Sequence, residues 1–233
     1  MRINKYIAKS GYSSRRKADG LIKESRVKVN GKLVKEPGLN ISQGDLVEVD
    51  GKILSIEEKF YMKVYKPVGF ITSNYDPHNT NDLNDLVDLD KRFFAAGRLD
   101  KDSHGLLIIT NDGDFTNKLT HPSNKLDKVY IVRVDKKLSK GEQRVFSTGI
   151  DLGKGEFTSK AKIKLIDYET NTYRVVIHQG YNRQIRRMFA YFSVRVKSLK
   201  RISIGPISLQ DMKAYETRYF NEEEMKFVKS LRG

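Results

Sequence analysis

One short segment, residues 97–113, brings together the residue types that could do chemistry. It reads GRLDKDSHGLLIITNDG, and Asp100 and Asp102 stand just ahead of an apolar run that predicts a buried strand. A carboxylate at the end of such a strand can act as a nucleophile or a base, because a rigid sheet fixes its position. Two carboxylates one residue apart could instead hold a magnesium ion for phosphodiester hydrolysis. A turn in which Asp100 pairs with Arg98 or Lys101 is as compatible with the spacing as catalysis.

Metal and cofactor chemistry find little further support in the sequence. The histidines are scattered without the spacing of metal ligands, at positions 78, 104, 121 and 178. The absence of cysteine excludes thiolate nucleophiles, thiolate metal sites and disulfides. The glycine patterns GxxxxGK[ST] and GxGxxG, which bind phosphates and dinucleotides, are also missing. The residues therefore give poor support to a metal site and to cofactor-dependent methyl or hydride transfer, and a metal-dependent nuclease stays open as an alternative.

A second informative stretch, residues 179–192, reads QGYNRQIRRMFAYF and has the spacing of an amphipathic helix. Its apolar positions at i, i+3, i+4 and i+7 would form one buried face: Ile185, Met188, Phe189 and Phe192. Arg183 and Arg187 then lie opposite this face, and Arg186 lies on the flank. A flanking arginine can reach into a cleft and keep a buried aspartate ionised. The arginines could equally be surface charges that only increase solubility.

Strands and helices must position these two segments. If residues 93–96 and 106–110 are strands, residues 97–105 form the connection at their ends. The periodicity predicts further strands at 129–134, 161–166 and 173–177, and helices at 114–119, 183–192 and 222–231. Because neighbouring strands are joined by short turns, we predict an α+β domain built on a largely antiparallel mixed sheet with flanking helices. Residues 75–90, rich in Asp and Asn, predict a surface loop with a short helix at most.

The first sixty residues have a different organisation. Apolar residues recur at helical spacing in residues 3–7 and 18–22, and Ser14 is placed to cap the second helix. Two alternating segments around Asn30-Gly31 and Asp50-Gly51 predict β-hairpins. Periodicity is lost around residues 56–59, which predicts a linker. The chain is therefore expected to hold two domains, residues 1–57 and 61–233.

Charge indicates the class of partner. The chain carries a net charge of +15, with 44 Lys and Arg against 29 Asp and Glu. The excess is clustered: residues 1–40 hold eleven basic against three acidic side chains, and residues 180–201 hold seven against none. Such clusters favour a polyanion, and nucleic acid first, through contacts to phosphate groups. A membrane surface ranks second, because no basic amphipathic helix carries a large aromatic face.

The N-terminal segment RINKYIAKSGYSSRRKADGLIKESRVKVNGKLV resembles the small RNA-binding module of the ribosomal protein S-four type, an αL module found in many RNA-modifying and ribosome-associated proteins. In that family the basic faces of two helices lie against RNA backbone. The resemblance implies that the corresponding cations here contact RNA: Arg2, Lys5, Arg15 and Arg16. It also favours RNA over DNA.

The rest of the chain resembles the RsuA-type pseudouridine synthases. GRLDKDSHGLLIITNDG is similar to their catalytic motif, KPVGFITSN to a strand-turn motif, and KVYIVRV to a tyrosine-bearing strand. QGYNRQIRRMF is similar to their arginine motif and LKRISIGPISL to the closing segment, and all five follow the family's order. The resemblance implies a pseudouridine synthase catalytic domain that isomerises a uridine of ribosomal RNA without a cofactor.

The resemblance also implies roles for individual residues. Asp100 would be the essential aspartate, Tyr130 would stack on the target base, and Arg186 would pair with Asp100. Ile185 would pack near the base, although Tyr130 and Ile185 could also be ordinary core residues. Further arginines are expected to contact the substrate: Arg98, Arg183 and Arg187. Lys66 and Pro67 are expected to set a backbone bend, and Asp102 and Ser103 to shape the loop around Asp100.

The opening MRINKYI, RLDKDS and Gln179 favour the RluF-like branch of this family. That branch implies large-subunit ribosomal RNA or a pre-ribosomal particle as partner, with a transfer RNA as a second target. We expect a cytoplasmic monomer that does not contact membranes, because no long apolar stripe is left over for a partner and no segment could span a bilayer. A non-catalytic RNA-binding or ribosome-assembly factor is the alternative that the charge and the N-terminal module also support.

Overall fold

The computed structural model describes residues 1–74 and 81–231. The chain divides into two compact units, the first of Met1–Phe60 with Leu89–Phe93 and the second of Tyr61–Asp88 with Phe94–Gly233. The described residues form six α-helices, thirteen strands and one short 3-10 helix at Pro122–Asn124. None of the helices within this described part has the length and apolar character needed to cross a bilayer.

The first unit contains the two predicted helices and both predicted hairpins. Its elements are α1 Ile3–Lys9, α2 Arg15–Lys23, β1 Val27–Val29, β2 Lys32–Leu33, β3 Val47–Val49 and β4 Lys52–Ile53. The strands form an antiparallel sheet in the order β2-β1-β3-β4. Ser14 caps α2 by accepting from the backbone N–H of Lys17 at 3.2 Å, as the sequence predicts. Asn30 and Gly31 both have positive φ, 50° and 79°, which is the conformation that a tight two-residue hairpin turn needs.

The second unit is a larger α+β domain. Its strands are β5 Tyr61–Lys66, β6 Phe94–Ala95, β7 His104–Thr110, β8 Lys128–Val134, β9 Lys162–Asp167, β10 Thr172–Ile177, β11 Val196–Ile204, β12 Ile207–Ser208 and β13 Thr217–Tyr219. Its helices are α3 Gly113–Thr120, α4 Lys140–Thr148, α5 Gln184–Ala190 and α6 Glu222–Ser230. The sheet runs β13-β5-β7-β11-β8-β10-β9, with β12 paired to β11 and β6 paired to β7. The pair β7–β11 is parallel and the other ladders are antiparallel, so the predicted largely antiparallel mixed sheet is confirmed.

The parallel pair depends on one glycine. Gly105 stands opposite Arg201 in the β7–β11 ladder and has φ +106°, a backbone conformation that favours glycine. A Cβ atom at this position would lie 2.3 Å from the backbone oxygen of Arg201, closer than real side chains approach. The glycine of the sequence DSHGLL therefore allows β7 and β11 to approach each other beside the candidate site.

Some elements differ from the predictions. Helix α4 was not predicted, although Ser139 and Glu142 form a capping box at its start, a signal that the sequence carries. Helix α5 begins one residue later than predicted and ends at Ala190, so Phe192 lies beyond it and is only half-buried. In the predicted loop 75–90, residues 75–80 lie outside the described residues, and residues 81–90 contain turns and coil without a helix.

Candidate active site

A cavity of about 410 Å³ lies over one face of β8, β10 and β11. Tyr130 of β8 stands directly opposite Val175 of β10 and Arg201 of β11, so these three side chains share that face. Five of the residues expected to act on substrate line the cavity: Arg98, Asp100, Tyr130, Arg183 and Ile185. The structure thus brings together the two motifs that are about eighty residues apart in the sequence.

The loop that carries Asp100 is fixed through its backbone. The five backbone carbonyl oxygens of residues 98 to 102 each accept one hydrogen bond. In chain order, the donors are Arg201 Nη1 at 3.2 Å, Thr72 Oγ1 at 2.7 Å, Ser103 N at 3.0 Å, Gly69 N at 2.8 Å and Arg186 Nη2 at 2.8 Å. Four of the five donors come from outside the loop. A loop held in this way needs no reordering when a substrate enters, which is the preorganisation that catalysis requires.

The arginine that approaches Asp100 is Arg183, so the predicted pairing of Arg186 with Asp100 is corrected. Arg183 precedes α5 in the left-handed conformation, with φ 50°, and its Nη1 lies 3.8 Å from Asp100 Oδ2. The same guanidinium donates to both carboxylate oxygens of Asp102, at 3.0 Å and 2.8 Å. Arg186 instead donates to the backbone oxygens of Asp102 at 2.8 Å and Val196 at 3.2 Å. Its contacts are those of a positioning residue for the loop.

The two aspartates of the motif therefore lie in different environments. The hydrogen bonds from Arg183 hold the pKa of Asp102 below its ordinary value, and both of its oxygens are engaged. Asp100 lines the cavity, and about 30% of its side chain is exposed. Asp100 is thus the carboxylate that a substrate in the cavity would meet, while Asp102 joins the loop to the arginine motif.

Arg187, also expected to contact substrate, lies elsewhere in the described structure. It forms an ion pair with Glu156 and donates to the backbone oxygen of Leu152 at 2.7 Å. These contacts fasten the turn at residues 151–158 to α5, and the residues that line the cavity do not include Arg187. Helical spacing puts Arg187 on the side of α5 away from Ile185, and its expected contact with substrate stays a prediction.

Lys66 lies near the two aspartates of the motif, whose charges act on it, and its environment was not predicted from the sequence. Its side chain is fully buried, and its Nζ donates to the backbone oxygens of Pro67 at 2.9 Å and Phe70 at 2.7 Å. These bonds close the bend that the motif KPVG was expected to make. Burial lowers the pKa of Lys66 from 10.5 to about 8, while the charges of Asp100 and Asp102 act in the opposite direction. The motif predicts the bend, but the burial of the ammonium group has no signature in the sequence.

This buried lysine predicts a pH dependence of stability. Between pH 8 and 10.5 the unfolded chain keeps a proton on Lys66 that the folded chain has lost, so stability rises with pH across this window. In Lys66→Met this contribution is absent. We expect the difference in unfolding free energy, wild type minus variant, to rise by up to about 3 kcal/mol across the window. Urea titrations at a series of pH values measure it, and a difference independent of pH would contradict the assignment.

Two cations that do line the cavity were not predicted from the sequence. Lys128 donates to the backbone oxygen of His178 at 2.8 Å, and burial lowers its pKa. Arg201 is buried and stands opposite Tyr130 in the β8–β11 ladder. Both belong to segments that the sequence analysis had noted, the strand KVYIVRV and the basic run 180–201, but alternation alone does not show which cations face a cavity.

In the first unit, the cations expected to contact RNA lie at the helix starts. Arg2, Arg15 and Arg16 are exposed, and Lys5 is half-buried. The first turn of α2 carries Arg15, Arg16 and Lys17 and no acidic residue. Cations at this end oppose the helix macrodipole, whose positive pole lies there. The arrangement concentrates positive charge instead of neutralising it, as a surface for an anionic partner does.

Comparison with known proteins identifies the class. The family model described as RNA pseudouridylate synthase matches residues 61–191, and the model of the S4 domain matches residues 1–47. The chain is 39% identical to "Ribosomal large subunit pseudouridine synthase B" of Bacillus subtilis, over 99% of this chain and 96% of that protein. It is 38% identical to "Dual-specificity RNA pseudouridine synthase RluF" of Escherichia coli, over 97% of this chain and 77% of that protein.

A solved structure titled "Crystal structure of pseudouridylate synthase" superposes with a TM-score of 0.72 at 29% identity, covering 98% of this chain and 99% of that one. The chain therefore belongs to the RNA pseudouridylate synthase family, and the family resemblance drawn from its motifs is confirmed. It is an RNA pseudouridine synthase with an N-terminal S4 domain. Relatives of the RluB and RluF kinds are almost equally similar to it.

Proposed function

We propose that this enzyme converts a uridine of large-subunit ribosomal RNA to pseudouridine, that a transfer RNA is a second target, and that Asp100 is the essential catalytic residue. The observation that carries the proposal is the position of the Asp100 carboxylate. It lies in a 410 Å³ cavity with Tyr130, on a loop whose five central carbonyl oxygens are all hydrogen-bonded. The names of the relatives, one a large-subunit enzyme and one a dual-specificity enzyme, support a large-subunit target and the existence of a second target.

The reaction breaks the bond between N1 of uracil and C1′ of the ribose and joins C1′ to C5 of the same base. A carboxylate can assist by attacking the base, by attacking C1′, or by removing a proton during glycal formation, and Asp100 is placed for these roles. A base paired in a helix cannot reach the cavity, so the target nucleotide must be flipped out at a cost of a few kcal/mol. The ring of Tyr130 offers a stacking surface for it, and Ile185 lines the same cavity.

We further propose a division of labour between residues 1–57 and 61–233. The exposed cations Arg2, Arg15 and Arg16 hold RNA backbone, and the catalytic domain modifies the flipped base. Arg98 and Arg183 line the cavity and bind the phosphates next to the target. The chain acts as a monomer in the cytoplasm on ribosomal RNA or a pre-ribosomal particle.

The direct test incubates purified chain with unmodified transcripts of large-subunit ribosomal RNA and of transfer RNA, and maps pseudouridine by carbodiimide-induced reverse-transcription stops. We expect a new stop at one ribosomal site, formed equally well with EDTA present, and full-length RNA throughout. Tight RNA binding with no new stop on any transcript would favour the RNA-binding or assembly factor. Shortened RNA whose formation EDTA prevents would favour a metal-dependent nuclease.

Tyr130 provides a second test of this function. Removing its ring in Tyr130→Ala should slow single-turnover pseudouridine formation by about 10- to 100-fold, because base stacking on an aromatic side chain contributes roughly 1–3 kcal/mol. Tyr130→Phe keeps the ring and should keep most of the rate. Tyr168→Ala, at an exposed tyrosine outside the cavity, is the control and should be unaffected. Equal rates for Tyr130→Ala and Tyr130→Phe would contradict stacking.

A further inference from the structure

The large sheet has a second face, opposite to the one that bears the cavity, and on four strands this face is open to solvent. Side chains alternate between the two faces of a strand, so Ile131 of β8 lies on the face opposite to Tyr130. Ile131 stands opposite Lys200 of β11 and Arg174 of β10, and Arg174 stands opposite Lys164 of β9. We call this surface the open face; its cations are Arg133, Lys162, Lys164, Arg174 and Lys200, of which the last is half-buried and the others are exposed.

The positive charge of the open face is not balanced by neighbouring carboxylates. The one acidic residue of these four strands is Asp167, at the end of β9. Its carboxylate accepts from the backbone N–H groups of Glu169 at 2.9 Å and Thr170 at 3.1 Å, in the turn that follows the strand. Within the described residues, the side chains of the four exposed cations form neither a hydrogen bond nor an ion pair. Lys200 lies over the ring of Tyr65, with its Nζ 5.0 Å from the ring centre.

Cations at these positions work against the stability of the sheet. Arg174 and Lys164 stand directly opposite each other, and like charges in such a pair destabilise it. Protein surfaces usually intersperse both signs of charge, which avoids this repulsion. A surface of repelling cations is instead suited to an anionic partner, because the partner supplies the missing counter-charge.

The layout of the open face fits the backbone of helical RNA. Lys200, Arg174 and Lys164 lie in one row across β11, β8, β10 and β9, and this row is about 14 Å long. A row of that length can meet several successive phosphates of one strand. The aromatic residues of these strands, Tyr130 and Tyr173, lie on the other face, so the open face offers no ring on which an unpaired base could stack. Double-stranded RNA is recognised mainly through its backbone and shape, which needs no such ring.

We propose that the open face binds the phosphate backbone of a second, helical segment of the substrate RNA, distinct from the segment whose uridine enters the cavity. The inference rests on the proposed function of the cavity. Because the cavity and the open face lie on opposite sides of one sheet, a short stem that delivers its base to the cavity does not reach the open face. A large folded ribosomal RNA has further helices that can do so. Two linked contacts raise the affinity above that of either contact alone, so the open face favours large RNA over an isolated stem.

The experiment measures the affinity of three enzymes for two RNAs by filter binding over a series of salt concentrations. The RNAs are the full-length large-subunit transcript and the shortest transcript from it that wild type modifies. Wild type is compared with an open-face variant, which combines Lys162→Gln, Lys164→Gln and Arg174→Gln. The control variant removes the same charge from exposed positions of α4 and α6, and combines Lys140→Gln, Arg144→Gln and Lys229→Gln. A general effect of lower net charge would weaken both variants equally.

We expect the open-face variant to bind the full-length transcript about 10- to 100-fold more weakly than wild type and the control variant do at about 100 mM salt. The slope of log affinity against log salt concentration should become shallower by about 2 to 3, because three phosphate contacts are lost. On the short transcript, the affinities of all three enzymes should agree within about threefold, because the open face lies beyond its reach.

Equal affinities of the three enzymes for the full-length transcript would overturn the inference and would favour an acidic protein as the occupant of the open face. An equal loss on both RNAs would also overturn it, since the open face would then contact the target segment. If the open-face variant loses its thermal unfolding transition, Lys164→Gln alone replaces it, with an expected slope change of about one. Failure of wild type to form pseudouridine on any RNA would instead overturn the proposed function, and the comparison on the full-length transcript would still test the open face.

Discussion

Asp100→Asn is expected to abolish pseudouridine formation and to leave RNA binding intact. Asparagine has the size and shape of aspartate, so the hydrogen-bonded loop around it is kept, but it can neither attack carbon nor take up a proton. We expect the single-turnover rate to fall by roughly 10⁴-fold or more, as when an essential catalytic side chain is lost in other enzymes. Rates come from mapped pseudouridine, and affinity from filter binding of the same RNA.

Asp102→Asn is the matched control for this prediction, because the same change is made two residues away. Asp102 pairs with Arg183 at a partly exposed position, so this variant should weaken a salt bridge that contributes up to about 1 kcal/mol. A loss of a few-fold in rate is expected. Wild-type turnover by Asp100→Asn, or a larger loss in Asp102→Asn than in Asp100→Asn, would show that the essential carboxylate was assigned to the wrong aspartate.

Lys63→Met is expected to destabilise the second unit by about 3–5 kcal/mol. Lys63 of β5 and Glu224 of α6 form an ion pair of 2.8 Å, with side chains only 2% and 4% exposed. Lys63 also donates to the backbone oxygen of Ser208 at 3.1 Å. Methionine fills the space of lysine but leaves the carboxylate of Glu224 buried without its cation, which is the costly outcome for a buried pair. Urea titration followed by tyrosine fluorescence measures the free energy of unfolding.

The double variant Lys63→Met with Glu224→Gln separates this cause from a loss of packing. Glutamine removes the charge and keeps an oxygen that can accept from the backbone N–H of Asn221, as Glu224 does at 3.0 Å in the capping box of α6. Most of the lost stability should therefore return in the double variant. The exposed Arg26, which pairs with Asp50, gives the comparison: Arg26→Met should lower the free energy of unfolding far less than Lys63→Met does. Equal instability of the single and double variants would contradict the electrostatic explanation.

Short sequence patterns correctly predicted the elements whose conformation is determined by residues adjacent in the chain. Asn30-Gly31 specified its hairpin, because few residue pairs other than Asn-Gly accept two positive φ angles at low cost. Ser14 specified the start of α2 by capping it. The connection that carries Asp100 followed from the apolar strand after it, and β7 in fact begins two residues earlier, at His104. The family motifs then placed Asp100, Tyr130 and Ile185 in one cavity.

The remaining features depend on distant contacts, which a single sequence does not display. Arg183 approaches Asp100 because its backbone is left-handed, and helical spacing assumes the opposite conformation. Arg201 is buried because backbone oxygens of Leu106 and Arg98, about a hundred residues away, accept its hydrogen bonds. The same holds for the ion pair of Lys63 with Glu224, whose partners are 161 residues apart. From the sequence alone, a lysine or arginine that makes such distant contacts cannot be distinguished from an exposed one.

The most direct test of the central claim is made in the host cell. The gene is deleted, and pseudouridines are mapped across ribosomal and transfer RNA by carbodiimide-induced reverse-transcription stops. We predict that a site in the large-subunit ribosomal RNA loses its pseudouridine, with one transfer RNA site as the second loss. Wild type should restore both sites, and Asp100→Asn should restore neither. A pseudouridine map unchanged by the deletion would contradict the account.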